Sequence, residues 1–403
     1  MDLPVHCGHG IYGGIGQTIS FFVCDTGIRC RRTDVFPGCC QGVDIGKSDR
    51  RGSGTDPGIL YVDSHNLLDL AGRRNLMKTE LLKILRESDG YVSGQQLCER
   101  FHVSRTAVWK VIQQLKEEGY EVEAVKNRGY RIMTTPDVIT AEEISSRLHT
   151  NWMAENCIYL ESVDSTNNYA KRIAEDGTPS GTLVVADEQT GGKGRRGRSW
   201  STPKGSNIAM TLLLRPRFRP EHASRMTLLA AMAVTCGIRR VTGLDAGIKW
   251  PNDVVVNGHK VCGILTEMNT EVDYINYVVI GIGINVNQKE FPEEIREIAG
   301  SLCLEAGKQI GRAALIAAIM EELERIYEIF QKTEDLSGLY EEYNQICVNC
   351  GRKIRVLEPG HEYTGVAEGI NQDGEHMEVR DDTGEKVSVY AGEVSVRGFY
   401  GYV

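Results

Sequence analysis

The sequence contains no long hydrophobic run and few aromatic residues. Hydrophobic residues make up 41% and aromatic residues 7% of its 403 positions, and no stretch approaches the roughly 20 apolar residues of a membrane-spanning helix. The first residues also lack the cationic start and apolar centre of a secretory signal. We therefore expect a cytoplasmic protein with no membrane segment.

The sequence also has no excess of positive charge. Its formal net charge is −9, which argues against a protein whose whole surface binds nucleic acid. Residues 78–131, however, contain ten Lys/Arg and eight Asp/Glu. Any contact with nucleic acid is therefore expected to be local.

The cysteines do not indicate a disulfide framework or a zinc site. Of the twelve, the seven after residue 76 are scattered among apolar neighbours, as reduced core thiols usually are. Cys347 and Cys350 form one CxxC pair, and no second pair follows at the spacing of a zinc site. The sequence identifies no metal ligands.

Residues 1–76 differ in composition from the rest of the chain. They are rich in glycine, contain five cysteines and show no sustained helical or strand period. We predict an extension that is disordered or comes from a misassigned start, rather than a cysteine-based metal or redox module. Met77, by contrast, directly precedes an amphipathic helical pattern. That pattern is carried by Leu81, Leu82, Ile84 and Leu85.

Residues 77–140 have the pattern of a winged helix. A short helix after Ser93, a turn at residues 101–103 and a second helix capped by Ser104 form a helix-turn-helix. The alternating stretch 122–132, with a turn at residues 126–129, predicts a basic hairpin. Three apolar side chains are expected to pack between the two helices: Leu97, Val108 and Ile112.

Cations on the second helix and at the hairpin tip predict a DNA-binding surface, because phosphates would lie along both. The predicted DNA-binding residues are Ser93, Ser104, Arg105, Thr106, Lys110, Lys126 and Arg128. The alternative is a three-helix packing module whose charges only face solvent.

The remaining sequence predicts two more domains. Residues 141–346 alternate strand-like runs, such as 183–186, 208–214 and 278–284, with helical patterns over 222–241 and 311–330. Residues 347–403 contain short alternating strands separated by turns. We therefore predict an α+β multidomain protein with a winged helix-turn-helix, a mixed α/β domain and a small C-terminal β-barrel of SH3-like type.

The segment Gln189–Trp200 has the composition of an anion-binding loop. It contains four glycines and four cations in twelve residues after a strand, so exposed backbone lies beside positive charge. Its GKGRRG motif fits GxGxxG, but the following Ser201, Pro203 and Gly205 keep the chain in a loop, whereas a dinucleotide fingerprint needs a helix there. No GxxxxGK[ST] spacing is present. A flexible basic loop without a ligand is the alternative.

Lys249, in the segment IKWPND, ends a strand-like run before a polar turn that begins at Pro251. A charged group among Ile248 and Trp250 would be poorly solvated unless it met an anion. A lysine that merely extends its ammonium to solvent would need no fixed turn beside it. We favour a lysine that points into a ligand cleft.

Two further polar segments are ambiguous from the sequence. Asp164–Asn168 precedes a helix expected to begin near Tyr169, so its hydroxyl and amide groups are explained by helix capping or by ligand binding. The GIGINVN segment at residues 281–287 is explained by a buried strand whose glycines let another backbone approach.

Together these segments resemble the biotin protein ligase family, in its bifunctional ligase/repressor branch. The resemblance covers residues 77–403 and rests on VSRTAVWK, DSTN, Gln189 with GKGRRGRSW, KWPND followed by GIL, GIGIN and the terminal barrel. It implies that biotin and MgATP form biotinyl-5′-AMP and pyrophosphate. A lysine of a biotin carboxyl carrier protein, the acetyl-CoA carboxylase subunit, would then take the biotin.

The resemblance also implies roles for individual residues. Lys249 and Arg195 would be catalytic. Biotin would contact Ser165, Thr166, Asn167, Gln189, Lys193, Gly194, Arg195 and Lys249. The nucleotide would contact Arg195, Arg196, Arg198, Trp200, Asn252 and Asn285. The expected partners are operator DNA and a second copy of the chain when biotinyl-5′-AMP is bound. The alternatives are a lipoate or octanoate transferase and a biotin-sensing regulator without catalysis.

Overall fold

The computed structural model describes residues 22–24, 27–29, 64–358, 360–391, 395–398 and 402–403. Its contacts divide the chain into two units, Met1–Tyr61 and Val62–Val403. In the first, strands β1 (Phe22–Cys24) and β2 (Gly27–Arg29) pair antiparallel. Each strand has only three residues, so the hairpin is compatible with the absence of a sustained strand period in the sequence of residues 1–76. The expectation of disorder elsewhere in residues 1–63 lies outside the described residues.

The first helix also begins earlier than predicted. Helix α1 spans Ser64–Glu87 and so begins upstream of Met77. Residues 64–76 contain four Leu, two Arg, one Ala and no proline, a composition that favours helix. The amphipathic pattern after Met77 is confirmed, since Leu81, Leu82 and Leu85 are buried in one apolar cluster.

The helix-turn-helix and hairpin are confirmed. Helix α2 (Gly94–Phe101) begins with a capping box in which Ser93 and Gln96 bond each other's backbone amides. Ser104 caps helix α3 (Arg105–Glu117), and its hydroxyl accepts a bond from the Ala107 amide. Strands β3 (Glu121–Val125) and β4 (Gly129–Thr134) form the hairpin. The residues predicted to pack between the helices are buried: Leu97, Val108 and Ile112.

The central part of the second unit is the predicted mixed α/β structure. Its helices are α4 (Ala141–Ser145), α5 (Thr166–Glu175), α6 (Arg225–Thr242), α7 (Leu302–Ala306), α8 (Arg312–Thr333) and α9 (Tyr340–Ile346). Its strands are β5 (Cys157–Val163), β6 (Thr182–Gln189), β7 (Ile208–Leu214), β8 (Gly247–Lys249), β9 (Asp253–Val256), β10 (His259–Thr270) and β11 (Ile275–Ile284).

These seven strands form one sheet in the order β5-β6-β7-β11-β10-β9-β8. Strands β5 and β6 pair parallel and the other neighbours pair antiparallel. The sheet is covered on both faces: Leu212 and Leu214 belong to the core that contains α6 and α8, whereas Leu213 packs in the cluster that contains α5 residues. Burial on both faces explains why β7 is a continuous apolar run rather than an alternating one.

The C-terminal part is a five-stranded antiparallel sheet. Its strands are β12 (Lys353–Glu358), β13 (His361–Ile370), β14 (His376–Asp381), β15 (Lys386–Tyr390) and β16 (Ser395–Gly398), in the order β15-β14-β13-β12-β16. The sheet agrees with the predicted small β domain, and its closure into a barrel stays a prediction. Strand β13 was not predicted because Gly365, Glu368 and Gly369 interrupt its apolar pattern. No helix in the described part of the chain is long and apolar enough to span a membrane.

Candidate functional site

A cavity of about 330 Å³ lies where the loop after β6, the end of β8 and the β10–β11 pair meet the C-terminal strand β16. Every ligand-binding residue predicted from the sequence lines this cavity. They are Ser165, Thr166, Asn167, Gln189, Lys193, Gly194, Arg195, Arg196, Arg198, Trp200, Lys249, Asn252 and Asn285. The fold therefore brings segments that are far apart in the sequence into one site.

Gln189 organises the start of helix α5. Its side-chain oxygen accepts bonds from the Thr166 amide at 2.9 Å and the Thr166 hydroxyl at 3.1 Å. The helix consequently begins at Thr166, so the predicted start near Tyr169 is wrong. Ser165 occupies the cap position but makes no capping hydrogen bond. Helix capping therefore does not explain the Ser165 hydroxyl, which is buried in the cavity wall.

Asn167 is held in one orientation by three partners. Its Oδ1 accepts a bond from the Thr211 hydroxyl at 2.6 Å, and its Nδ2 donates to the Leu265 carbonyl at 3.2 Å and to Glu267 at 2.8 Å. A Cβ on Gly281 would lie only 2.2 Å from that Oδ1. The strand glycine thus makes room for a side chain, not for the backbone that the sequence pattern suggested.

The glycine-rich loop has a defined shape. The Gly191 amide donates to the Asp164 carbonyl at 2.8 Å, and the Gly194 amide donates to the Arg198 carbonyl at 2.7 Å. Its only helical feature is the short 3-10 turn Arg195–Gly197. The prediction that the chain continues as a loop is confirmed, so the GxGxxG match does not open a dinucleotide-binding helix.

Arg195 connects this loop to two other segments. Its guanidinium donates to Asn252 Oδ1 at 2.8 Å and to the Ala391 carbonyl. Asn252 in turn donates to the Ile264 carbonyl on β10 at 3.2 Å. Through one side chain, the loop is therefore joined to the turn after β8 and to the C-terminal sheet.

Lys249 lies at the end of β8 with its ammonium in the cavity. Burial lowers the pKa of Lys249 to about 8, although the charge of Asp253 opposes that shift. Asp253 itself pairs with Lys260 at 2.6 Å. The strand is anchored from the C-terminal side, because Asn349 Oδ1 accepts a bond from the Trp250 amide at 2.8 Å. The structure thus agrees with the predicted lysine that points into a cleft.

The Trp200 indole lies on a floor made by two cross-strand glycines. Gly263 of β10 pairs with Gly283 of β11, and Cβ atoms on them would lie 3.1 Å and 2.4 Å from the indole. Its ring nitrogen has no hydrogen-bond partner among the described residues. At the same end of β11, Asn285 donates to the Gly300 carbonyl at 3.0 Å. The glycines therefore permit a flat aromatic wall in the cavity.

Four ionisable residues of the cavity were not selected from the sequence. Asp253 and Lys260 surround Lys249, and Asp253 stands in the KWPND motif, where its carboxylate could have been noticed. Arg397 and Tyr402 reach the same cavity from the C-terminal region. No local pattern marks these last two residues, because only the packing of the C-terminal sheet brings them there.

The predicted DNA-binding residues lie on the helix-turn-helix and hairpin. Arg105, Thr106 and Lys110 are exposed on α3, and Lys126 and Arg128 are exposed at the hairpin tip. The remaining two are Ser93 and Ser104, whose hydroxyls cap α2 and α3. The exposed cations therefore lie on the two elements that the sequence assigned to a phosphate-binding face.

Comparison with known proteins agrees with this arrangement. Residues 159–285 match the family model described as "Biotin/lipoate A/B protein ligase family", residues 78–131 match "HTH domain", and residues 350–397 match "Biotin protein ligase C terminal domain". The chain is 39% identical to the "Bifunctional ligase/repressor BirA" of Bacillus subtilis, over 75% of this chain and 93% of that protein.

Two further relatives extend the comparison. The "Bifunctional ligase/repressor BirA" of Escherichia coli is 29% identical over 74% of this chain and 91% of its own length. The solved structure of the "Biotin protein ligase from Aquifex aeolicus in complex with biotin and ATP" is similar with a TM-score of 0.53 and 28% identity, covering 60% of this chain and 99% of that one.

Proposed function

The chain belongs to the biotin protein ligase family, in its bifunctional ligase/repressor branch, and from that premise we propose that it makes biotinyl-5′-AMP, biotinylates a carrier protein and represses transcription. The observation that carries the ligase assignment is the convergence of Lys249 and the loop cations on one cavity. Such an arrangement suits the joining of a carboxylate to a phosphate, since two anions have to be brought together.

In the first step, a carboxylate oxygen of biotin attacks the α-phosphorus of ATP, and pyrophosphate leaves. Lys249 would lie between the carboxylate and the α-phosphate and reduce their repulsion, while Arg195 would hold the glycine-rich loop over the product. In the second step, the amine of the acceptor lysine attacks the mixed anhydride and AMP leaves. Fixed positive charge, already in place before the reaction, is the main catalytic contribution of the protein in this scheme.

The polar start of α5 would bind biotin. Hydroxyl and amide groups suit the neutral polar end of biotin, and here they are oriented by one another through Gln189 and Thr211. The proposed biotin contacts are Ser165, Thr166, Asn167, Gln189, Lys193, Gly194, Arg195 and Lys249. Orientation before binding reduces the entropy that ligand binding costs.

A second, overlapping set of cavity residues would bind the nucleotide. Guanidinium groups and amides suit phosphate and ribose oxygens, and the Trp200 indole offers a flat face to a purine. The proposed contacts are Arg195, Arg196, Arg198, Trp200, Asn252 and Asn285. The described residues contain no group of three or more His, Cys, Asp or Glu side chains that could hold a metal. A Mg²⁺ ion would therefore be bound chiefly by the phosphates of ATP.

The proposed partners follow from the two activities. The acceptor would be the biotin carboxyl carrier protein of acetyl-CoA carboxylase. The repressor would bind operator DNA through α3 and the β3–β4 hairpin, and a homodimer formed with biotinyl-5′-AMP would contact two half-sites. Use of ATP and DNA would put the protein in the cytoplasm.

The test of ligase function is release of pyrophosphate that depends on biotin. Lys249→Ala should lower the rate by about 10²–10³, as expected for loss of one group that stabilises developing charge. The matched control is Lys308→Ala, because Lys308 is exposed and should be replaceable without loss. A Lys249→Ala protein that folds and keeps its rate would remove this lysine from the mechanism. Activation of lipoate in place of biotin would instead favour a lipoate transferase, and binding without turnover would favour a pure regulator.

A further inference from the structure

Tyr402 follows strand β16 and enters the cavity beside Lys249. The Lys249 Nζ atom lies 3.9 Å from the centre of the Tyr402 ring. The Tyr402 hydroxyl donates a hydrogen bond to Asp253 Oδ2. One side chain of the C-terminal region therefore contacts both the lysine proposed to be catalytic and the carboxylate next to it.

Lys249 makes no hydrogen bond or ion pair within the described part of the chain, and its ammonium lies against the Tyr402 ring. The carboxylate that acts on Lys249 belongs to Asp253. That carboxylate is already engaged by Lys260 at 2.6 Å, by Asn252 Nδ2 at 3.1 Å and by the Tyr402 hydroxyl. Asp253 therefore does not neutralise Lys249 directly.

The other charged groups that act on Lys249 are cations. They are Lys260, Arg397 and Arg198. Together with burial they favour the neutral amine, whereas an aromatic face attracts the charged ammonium through the negative potential above the ring. The ring thus stabilises the ammonium without neutralising it. The N–H groups of Lys249 stay free to donate hydrogen bonds to other acceptors.

The hydroxyl of Tyr402 is suited to act as a permanent donor. Burial, and secondarily the neighbouring Asp253, raises the pKa of Tyr402 far above its ordinary value. The phenol therefore stays protonated whenever the site is active. It bonds Asp253 Oδ2, while Lys260 and Asn252 contact Oδ1, so both carboxylate oxygens already have partners other than Lys249.

We propose that Tyr402 is a positioning residue for the ligase reaction, whose ring holds Lys249 as an ammonium and whose hydroxyl keeps Asp253 directed toward Lys260. The lysine's charge then remains available to the substrate carboxylate and α-phosphate. This inference rests on the proposed function for its purpose, but the contact itself is testable without catalysis.

Two substitutions separate the two contacts. Tyr402→Phe keeps the ring and removes the hydroxyl, whereas Tyr402→Leu keeps an apolar group in the space but has no ring. The control is Tyr274→Leu, because Tyr274 is exposed between β10 and β11. Melting temperatures show which proteins are folded, and Tyr402→Met replaces the leucine variant if that protein is unfolded.

The first measurement is the pKa of Lys249 in the full-length protein without ligands. Brief labelling with acetic anhydride across a pH series, read by mass spectrometry, gives the fraction of unprotonated amine. Tyr402→Leu should lower the pKa of Lys249 by about one unit, because the charged form loses the ring. Tyr402→Phe should not lower it, since the ring remains and the freed Asp253 carboxylate favours the ammonium.

The second measurement is the pH profile of biotin-dependent pyrophosphate release. A lower pKa means that the ammonium is lost at lower pH, so the alkaline fall of the rate should begin earlier in Tyr402→Leu. Well above both pKa values, the rate should be about tenfold below wild type. The profiles of Tyr402→Phe and Tyr274→Leu should not shift in that direction.

The outcomes separate the two hypotheses. An unchanged Lys249 pKa in Tyr402→Leu, or an equal fall in the phenylalanine and leucine variants, would overturn the role of the ring. A wild-type protein that releases no pyrophosphate with biotin would overturn the proposed function. In that case the labelling result would still decide whether Tyr402 holds the Lys249 ammonium.

Discussion

Replacing Gly281 by alanine should displace Asn167 and weaken biotin binding. The new Cβ would lie 2.2 Å from Asn167 Oδ1, 2.8 Å from its Cγ and 2.9 Å from its Nδ2. These distances are far below van der Waals contact, so the amide group has to move. It cannot rotate freely, because Thr211 at 2.6 Å and Glu267 at 2.8 Å hold it from two sides.

The size of the effect follows from the contacts that are lost. Overpacking at a buried site costs about 1–3 kcal/mol of stability, so Gly281→Ala should fold with a lower melting temperature. A displaced amide loses a neutral hydrogen bond to the ligand, which contributes about 1 kcal/mol. Together with the disturbed neighbours, we expect the Kd for biotin to rise about tenfold, which corresponds to roughly 1.4 kcal/mol.

Calorimetric titration with biotin, without ATP, measures this effect directly. Gly283→Ala is the matched variant on the same strand, because its Cβ would lie 2.4 Å from Trp200 Nε1. That variant should raise the KM for ATP more than the Kd for biotin. Gly90→Ala controls for the substitution itself, since nothing lies within 4 Å of its Cβ. Unchanged biotin binding in folded Gly281→Ala protein would refute the assignment of Asn167 to the biotin site.

Three other predictions concern the loop, the DNA-binding face and the extension. Arg195→Gly loses the bonds to Asn252 and Ala391, and its backbone gains conformational freedom. Biotinyl-5′-AMP should therefore dissociate faster and biotinylate added albumin. An unchanged off-rate of biotinyl-5′-AMP would contradict this. Footprinting should show tighter operator binding with biotin plus ATP. The affinity for DNA should fall by a factor of roughly 10² between 50 and 200 mM salt if four cations each neutralise one phosphate. An affinity that does not depend on biotin and ATP would indicate a constitutive DNA binder. A chain starting at Met77 should keep adenylation and DNA binding, because the buried Leu81, Leu82 and Leu85 remain; loss of either activity would make the extension structural.

The difference between sequence and structure is clearest at the start of α5. The sequence offers hydroxyl and amide residues that cap helices well, and a helix was expected near Tyr169. In the structure the first helical amide, that of Thr166, bonds to the side chain of Gln189. A partner from another strand replaces the local cap, and no pattern within the segment shows that.

Local chemistry was enough to identify the loop cations and Lys249 as ligand-facing, whereas the residues of the two ambiguous polar segments were implied by the family resemblance. A loop rich in glycine and arginine places exposed backbone beside positive charge, which favours anion binding. Burial of a lysine before a fixed polar turn costs free energy unless a ligand compensates its charge. The helix-turn-helix was equally readable, because Ser93 and Ser104 cap helices with residues only three positions away.

Contacts between distant segments could be decided only by the tertiary structure. The sequence by itself determined the types of element, the loop cations and Lys249, because these depend on neighbouring residues. It did not determine that Arg195 bonds Ala391 or that Tyr402 covers Lys249. Those pairs form because the C-terminal sheet packs beside the end of β8, and that packing depends on apolar surfaces contributed by both regions.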